Sequence, residues 1–229
     1  MQLSGIKSLV PVGLALMLII LFGCSKDNNA ASPNQIVGSG KLVSEQRTAD
    51  IFNGINVTGI GKVYITQDTV QNLRIEADDN IIGLVTTSVS DGVLMVALKD
   101  GSYNGITVNV YASMKTIRQL ECVGTAEFVN NGQIDSDSIV CRITGTGTIT
   151  LNGKAGFESV EIVGAGNIHN YGLTSSRCSA VISGTGNIEV NVVQELDAVI
   201  SGTGKISYSG NPAIIHQTIS GVGTVVSNP

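Results

Sequence analysis

One phrase recurs through the second half of the chain and leaves few folds open to it. It reads apolar residue, spacer, Gly, spacer, small residue, spacer, large apolar residue. The copies are Cys122–Phe128, Ile143–Ile149, Ile162–Ile168, Ile182–Ile188, Ile200–Ile206 and Ile219–Val225. Their leading glycines stand at 124, 145, 164, 184, 202 and 221, separated by 21, 19, 20, 18 and 19 residues. Self-similarity at such a period marks a solenoid, whose coils stack on one another. Within each phrase the apolar residues fall at even offsets from the leading Gly, at −2 and +4 and often at −4. The odd offsets carry Thr, Ser, Asn, Glu, Lys and Val. A period of two is that of a strand, so the even set faces a shared interior and the odd set faces water.

About twenty residues per turn, in short strands separated by corners, is the geometry of a parallel β-helix. Coils spaced about 4.8 Å apart align Ile143, Ile162, Ile182, Ile200 and Ile219 in one ladder. Ile149, Ile168, Ile188, Ile206 and Val225 form a second. At about 1.5–3 kcal/mol per fully buried aliphatic side chain, two such ladders supply most of the drive against chain entropy. Gly at offset 0, with a small residue at +2, predicts a tight corner where Gly tolerates positive φ and close backbone approach. Outside, Thr and Ser at −1 and +1 are expected to stack as hydroxyl ladders.

The remainder of residues 37–229 is strand-like but less regular. Ile55–Ile65 matches the phrase once, with Gly59 lying 65 residues before Gly124. That gap is a little over three repeat lengths, so longer coils are expected to fill it. Leu73, Ile75 and Ala77 alternate, as do Ile106, Val108, Val110 and Ala112, while Val93–Leu98 is apolar on both faces and reads as a buried strand. Asp79-Asn80 is placed to cap a single helical turn. The domain is read as continuous, with irregular coils over 37–120 and regular Gly-x-Gly repeats over 121–229.

Composition agrees and excludes other classes. Gly accounts for 28 of 229 residues, charged residues for 14% and aromatics for 4%, with no Trp and 42% hydrophobic residues. So apolar a chain is not disordered, and Gly at every third position, which collagen needs, is absent. Lys+Arg 13 against Asp+Glu 18 gives a net charge of −5, without the basic excess of a nucleic-acid binder. Residues 1–23 form a signal peptide: Lys7 supplies a basic start, and Leu9–Phe22 is an apolar run shorter than the ~20 residues of a spanning helix. Leu21-Phe22-Gly23-Cys24 resembles a bacterial lipobox, which implies that Cys24 is acylated, by palmitate or a similar chain, and becomes the mature N-terminus. Residues 24–36 then read as the acylated Cys and a flexible polar tether. Ser25 after the Cys resembles outer-membrane sorting in diderm bacteria, with the leaflet face undecided.

The chain also resembles the head GIN (DUF2807) family of auto-transporter adhesin heads. The tripeptide Gly54-Ile55-Asn56 stands within Phe52–Val57. Gly38–Arg47, Ile75–Asn80 and Asp91-Gly92-Val93-Leu94 look like further family phrases, followed by the Gly-x-Gly repeats. The resemblance covers residues 37–229 and implies a right-handed parallel β-helix on a bacterial envelope lipoprotein. It supplies no catalytic residues.

Chemistry is thinly represented. Cys122, Cys141 and Cys178 lie at even offsets and read as small buried hydrophobes, with any disulfide undetermined. His169 and His216 are the only histidines, and no nucleophile signature accompanies them. Glu76, Asp78 and Asp79, and the pair Asp135 and Asp137, are the candidate Ca²⁺ ligands, and clusters this short read as turn and cap residues. The position where Ca²⁺-binding solenoids place Asp holds Thr, Asn, Lys or Glu. Gly-x-Gly is no nucleotide loop, since it repeats on strands. The expectation is a non-enzymatic, lipid-anchored envelope protein with an adhesin-like binding or scaffold role, without cofactor, metal or catalytic residue. Its expected partners are the membrane through Cys24, a glycan or protein ligand, and a second copy through the C-terminal coil; nucleic acid is not among them. The alternatives are a lyase-type polysaccharide-active enzyme on the same fold and a purely structural, self-associating envelope protein.

Overall fold

The computed structural model describes residues 35–228, which belong to one compact unit. The signal peptide, Cys24 and most of the tether lie outside the described residues. Gln35 and Ile36, assigned above to the tether, instead belong to strand Gln35–Val37, which pairs in parallel with Ser102–Asn104.

From Gln119 onward the chain is a β-solenoid in which each strand pairs in parallel with the corresponding strand one coil later. Ile143, Ile162, Ile182, Ile200 and Ile219 are register partners in succession, and Ile149, Ile168, Ile188, Ile206 and Val225 form the second ladder. Both ladders arise as the spacing predicts. All members are fully buried up to the last coil, where Ile219 and Val225 regain solvent contact. Several strands run on through the bends: Thr146–Ile162, Ala165–Ile182 and Thr185–Ile200 each span a face, a bend and the next face.

The corner glycines act through close approach rather than through positive φ. Gly59, Gly124, Gly145, Gly164, Gly184, Gly202 and Gly221 form a column, and a Cβ on any of the last six would overlap the carbonyl oxygen of the glycine one coil earlier. None of the column glycines has positive φ. The bare backbone lets one carbonyl serve two donors. Ile162 O accepts from Ser183 N and Gly184 N at 2.9 and 3.0 Å, and Ile182 O accepts from Ser201 N and Gly202 N at the same distances. At +1 the hydroxyl residues stack in register, Thr125 on Thr146 and Thr185 on Thr203. Thr144 Oγ1 and Ser183 Oγ donate to the corner carbonyls Cys122 O and Ile162 O.

The N-terminal part differs from the expected run of longer coils. Thr125 pairs directly with Ile60, and Gln119–Cys122 with Gly54–Val57, so nothing is stacked between Gly59 and Gly124. The intervening chain folds onto the opposite side of that first coil. Val93–Leu98 and Val108–Met114 pair in parallel with Gly54–Val57 and Ile60–Gln67. Antiparallel strands then close this end: Val85–Ser90 on Val93–Leu98, Asn72–Asp78 on Val108–Met114, and Leu42–Gln46 on Asn72–Asp78. Asp91 and Gly92, both at positive φ, make the two-residue turn that such a hairpin requires. Arg47 fastens the closure, with its guanidinium donating to Val85 O at 2.7 Å and Ile82 O at 3.1 Å. The expected helical turn exists as Ile82–Leu84, but its cap is Ile81 and no side chain bonds there. Asn80 is instead engaged with Ser39 N and Val37 O, and Asp79 with Ser39 Oγ.

Gly164→Ala and Gly184→Ala each force a methyl group into a backbone carbonyl that has no room to retreat. Each is expected to destabilise the fold by about 3 kcal/mol or more in chemical denaturation. Gly83→Ala, where an added Cβ meets nothing within 4 Å, should stay within about 1 kcal/mol of the parent.

Candidate functional site

The concave surface with the most chemistry lies over Gly61, Ala126 and Gly147, register partners two places after the corner glycines, at the N-terminal end of the solenoid. These positions carry little or no side chain, while the odd positions on either side do. The result is a groove of about 390 Å³ lined by Ile60, Lys62, Thr107, Asn109, Thr125, Glu127, Thr146 and Thr148 among others. Its far wall is the segment Ile106–Asn109, which leads into the parallel partner of Ile60–Gln67. A second hollow of about 310 Å³ shares Ile60 and Thr125 with it and extends to Lys99, Asp100 and Tyr103. Tyr103 is held at its rim by a hydrogen bond from its hydroxyl to Lys99 O. Lys62 and Glu127, register partners on adjacent coils, make a 2.8 Å ion pair inside the groove. The hydrogen bond to Glu127 raises the Lys62 pKa above its ordinary value. The groove therefore offers hydroxyls, an amide and a charge-compensated pair, with apolar patches from Ile60, Ile106 and Val108. Sequence reasoning missed it because its walls come from residues 60, 107, 125 and 148, which only the register brings together.

Beside it runs an outer ladder of Arg74, Tyr111, Tyr64 and Val129 in register. The Tyr64 and Tyr111 rings stack at 4.8 Å, and the Arg74 guanidinium lies 3.8 Å from the Tyr111 centroid. Glu76 accepts from Asn109, Arg74 and Tyr111, and its pKa is lowered first by the Asn109 hydrogen bond.

The acidic candidates do not converge on a cation. Asp78 is buried and accepts from Gly40 N and Thr107 N, both at 2.7 Å, which ties two loops to the closed end. Asp79 pairs with Ser39 and Lys41, and the Ser39 hydrogen bond is the first cause of its lowered pKa. Asp135 exchanges backbone hydrogen bonds with the Gln67 side chain, and Asp137 is exposed. His169 points outward and meets Glu189 at 2.7 Å. The register places Glu189 between His169 and Ser207, the wrong order for a base to reach a serine hydroxyl. Among the described residues, Glu195, Asp197 and His216 bring ligand atoms within 4.8 Å of one another on the last two coils. This is the one grouping there that could hold a metal ion.

The interior holds a group that parity alone could have flagged. Glu158 sits at offset −6 from Gly164, an inward position, and is fully buried between Ile139 and Cys178 in register. Asn170 Nδ2 donates to Glu158 Oε1 at 2.7 Å, while Oε2 has no hydrogen-bond partner. Burial, partly offset by the Asn170 bond, pushes the Glu158 pKa from 4.5 up to about 7. Cys141 and Cys178 are buried free thiols whose pKa values rise through burial and then through the Glu158 charge. Cys122 is likewise free and buried, as its even offset predicts.

Residues 51–212 match the family model described as "Putative auto-transporter adhesin, head GIN domain". No curated protein matches the chain. Among solved structures it is similar to "a putative adhesin" from Bacteroides fragilis NCTC 9343, at 25% identity and a TM-score of 0.67, covering 84% of this chain and 100% of that one. It is also similar to a "Putative lipid binding protein" from Parabacteroides distasonis ATCC 8503, at 19% identity and a TM-score of 0.51, covering 86% of this chain and 100% of that one.

Glu158 sets a pH dependence whose sign follows from linkage. Between about 4.5 and 7 the folded chain keeps a proton that the unfolded chain has released, so stability falls as pH rises through that window. Glu158→Gln keeps an acceptor for Asn170 and removes the titration. It should be more stable than the parent at pH ~8 and nearly equal to it at pH ~4, as read by urea denaturation across pH.

Proposed function

The chain belongs to the head GIN domain family, and on that premise we propose that it is an adhesin-type binding protein of the bacterial envelope, held to the outer membrane by lipid on Cys24 and binding a neutral glycan chain in the groove over Gly61, Ala126 and Gly147. The observation that carries the ligand reading is the groove's chemistry. The strands around it already bond to one another along their ladders, so recognition there falls to side chains rather than to β-strand addition. Thr107, Thr125, Thr146, Thr148 and Asn109 present hydroxyl and amide groups at successive rungs, each able to donate and accept. A polyhydroxylated chain offers matching groups along its length. The Lys62–Glu127 pair is internally compensated and the chain carries a net charge of −5, so an anionic polymer gains little there. The apolar patches at Ile60 and Ile106 suit the carbon faces of sugar rings.

Anchoring rests on the lipobox-like Leu21-Phe22-Gly23-Cys24. Several acyl chains at about 0.8 kcal/mol per buried methylene give stable attachment, whereas one chain alone is marginal.

Two measurements test this reading. Residues 34–229 screened against an array of neutral and acidic glycans should bind neutral chains without releasing reducing ends. Thr146→Val with Thr148→Val should weaken that binding at least tenfold, about 1.4 kcal/mol, with thermal stability unchanged. Turnover of any polysaccharide, or binding indifferent to these substitutions, overturns the groove assignment. In cells, Cys24→Ser should end acyl labelling and move the protein out of the membrane fraction.

A further inference from the structure

We infer that the C-terminal end of the solenoid is a self-association surface that closes two copies tail to tail. This goes beyond the groove and rests on a different part of the molecule. The last coil consists of Ile214–Ile219 and Val222–Ser227, six residues each, on either side of the Gly221 corner. Ile214–Ile219 pairs with Thr185–Ile200 and Val222–Ser227 with Thr203–Ser209; among the described residues neither has a strand on its other side. Both strands therefore present a free row of backbone donors and acceptors.

The side chains at that end are those of an interior. Ile215, Gln217 and Ile219 continue the inward columns of Leu196, Ala198 and Ile200, which are all fully or almost fully buried. In the last coil the same columns open to water, with Ile215 37% and Ile219 44% exposed, while Val222, on the outward column of Thr203 beside the corner, adds an exposed apolar side chain. The usual protections of a free edge are missing. From Ile206 to Asn228 there is no Asp, Glu, Lys or Arg, where inward-pointing or flanking charge would be expected to block strand addition.

The occupant is fixed by shape and charge. To cover the end, a partner must present two strands meeting at a bare corner with the same inward spacing, which is the form of this end itself. The opposite end cannot serve, because antiparallel strands fastened by Arg47 close it. A half-turn about an axis through the Gly221 corner lays Ile214–Ile219 of one copy antiparallel to Val222–Ser227 of the other, and the reverse. Pivoting on Gly221 keeps inward residues on inward residues: Ile219 meets Gly223 of the second copy, Gln217 meets Val225, and Ile215 meets Ser227. The uncharged end brings no like-charge repulsion to that meeting. Such a two-fold contact uses the same patch on both copies and closes at the dimer.

Sedimentation of residues 34–229, the compact unit that holds the described sheets and core, tests this. Its mass should double with rising concentration and stop there, and amide protection over residues 214–227 should rise in parallel. Gln217→Lys with Val222→Lys should hold the chain monomeric while its thermal unfolding in dilute solution stays that of the parent. A parent that is monomeric into the millimolar range overturns the inference. So does a dimer that survives the two lysines, growth beyond the dimer, or concentration-independent exchange over the last coil.

Discussion

Everything regular about this molecule depends on one contact, the corner glycine of each coil resting on the carbonyl of the glycine one coil earlier. With no Cβ in the way, the carbonyl two residues before that earlier glycine receives two successive amides, and consecutive coils come to the spacing that the neighbouring strand ladders require. The contact propagates. Once each corner is locked to the one before, the residues at −2 and +4 have no freedom but to align, and the two isoleucine ladders follow. The column also explains why charge is scarce. A coil of eighteen to twenty-one residues devotes alternate positions to the interior and several more to glycine or small residues, which leaves few outward sites for charge.

How much of this was legible depended on whether the information was local. Parity about each glycine gave the inward set, including the three buried thiols, and it applied equally to Glu158, whose even offset placed a carboxylate in the core. The ladders were legible because constant spacing turns sequence order into spatial order. In the N-terminal part that equivalence fails. Val93–Leu98 and Val108–Met114 follow Ile60–Gln67 in the chain yet stack on its far side, leaving its near side to Gln119–Asn131. Alternation marks a strand without saying which strand it joins or in which direction. The Asp91-Gly92 turn was the local signal of an antiparallel closure. The groove was illegible for the same reason, since its walls meet only through the register of strands far apart in sequence.

The interior shows where parity and hydrophobicity part company. Asn130 sits at an inward position and spans a bend between coils, donating to Gly132 O and Asn152 O and accepting from Asn152 N. Asn170 does the same for Leu151 N while its amide holds Glu158. A bend deprives some backbone groups of ladder partners, and a buried amide with one acceptor and two donors restores them. Glu158 is the less economical member of this group, because one of its oxygens is unpartnered and its charge has no cation opposite. Its raised pKa reflects a core that accommodates the neutral acid better than the carboxylate.

Stacked coils contact only their neighbours, so stability adds up along the axis and depends on the ends. Here the ends are unlike. At one, three antiparallel strands, Arg47 and the doubly bonded Asp78 close the stack with hydrogen bonds between segments distant in sequence. At the other, among the described residues, Ile214–Ile219 and Val222–Ser227 are paired on one side only. Nucleation is therefore favoured at the closed end, where the first coil is already covered on both sides, and fraying at the open end. The same asymmetry separates two kinds of surface. Outward residues beside the closed end are held by a rigid base and can present a groove of fixed shape. The final coil presents its outer edge unpaired among the described residues.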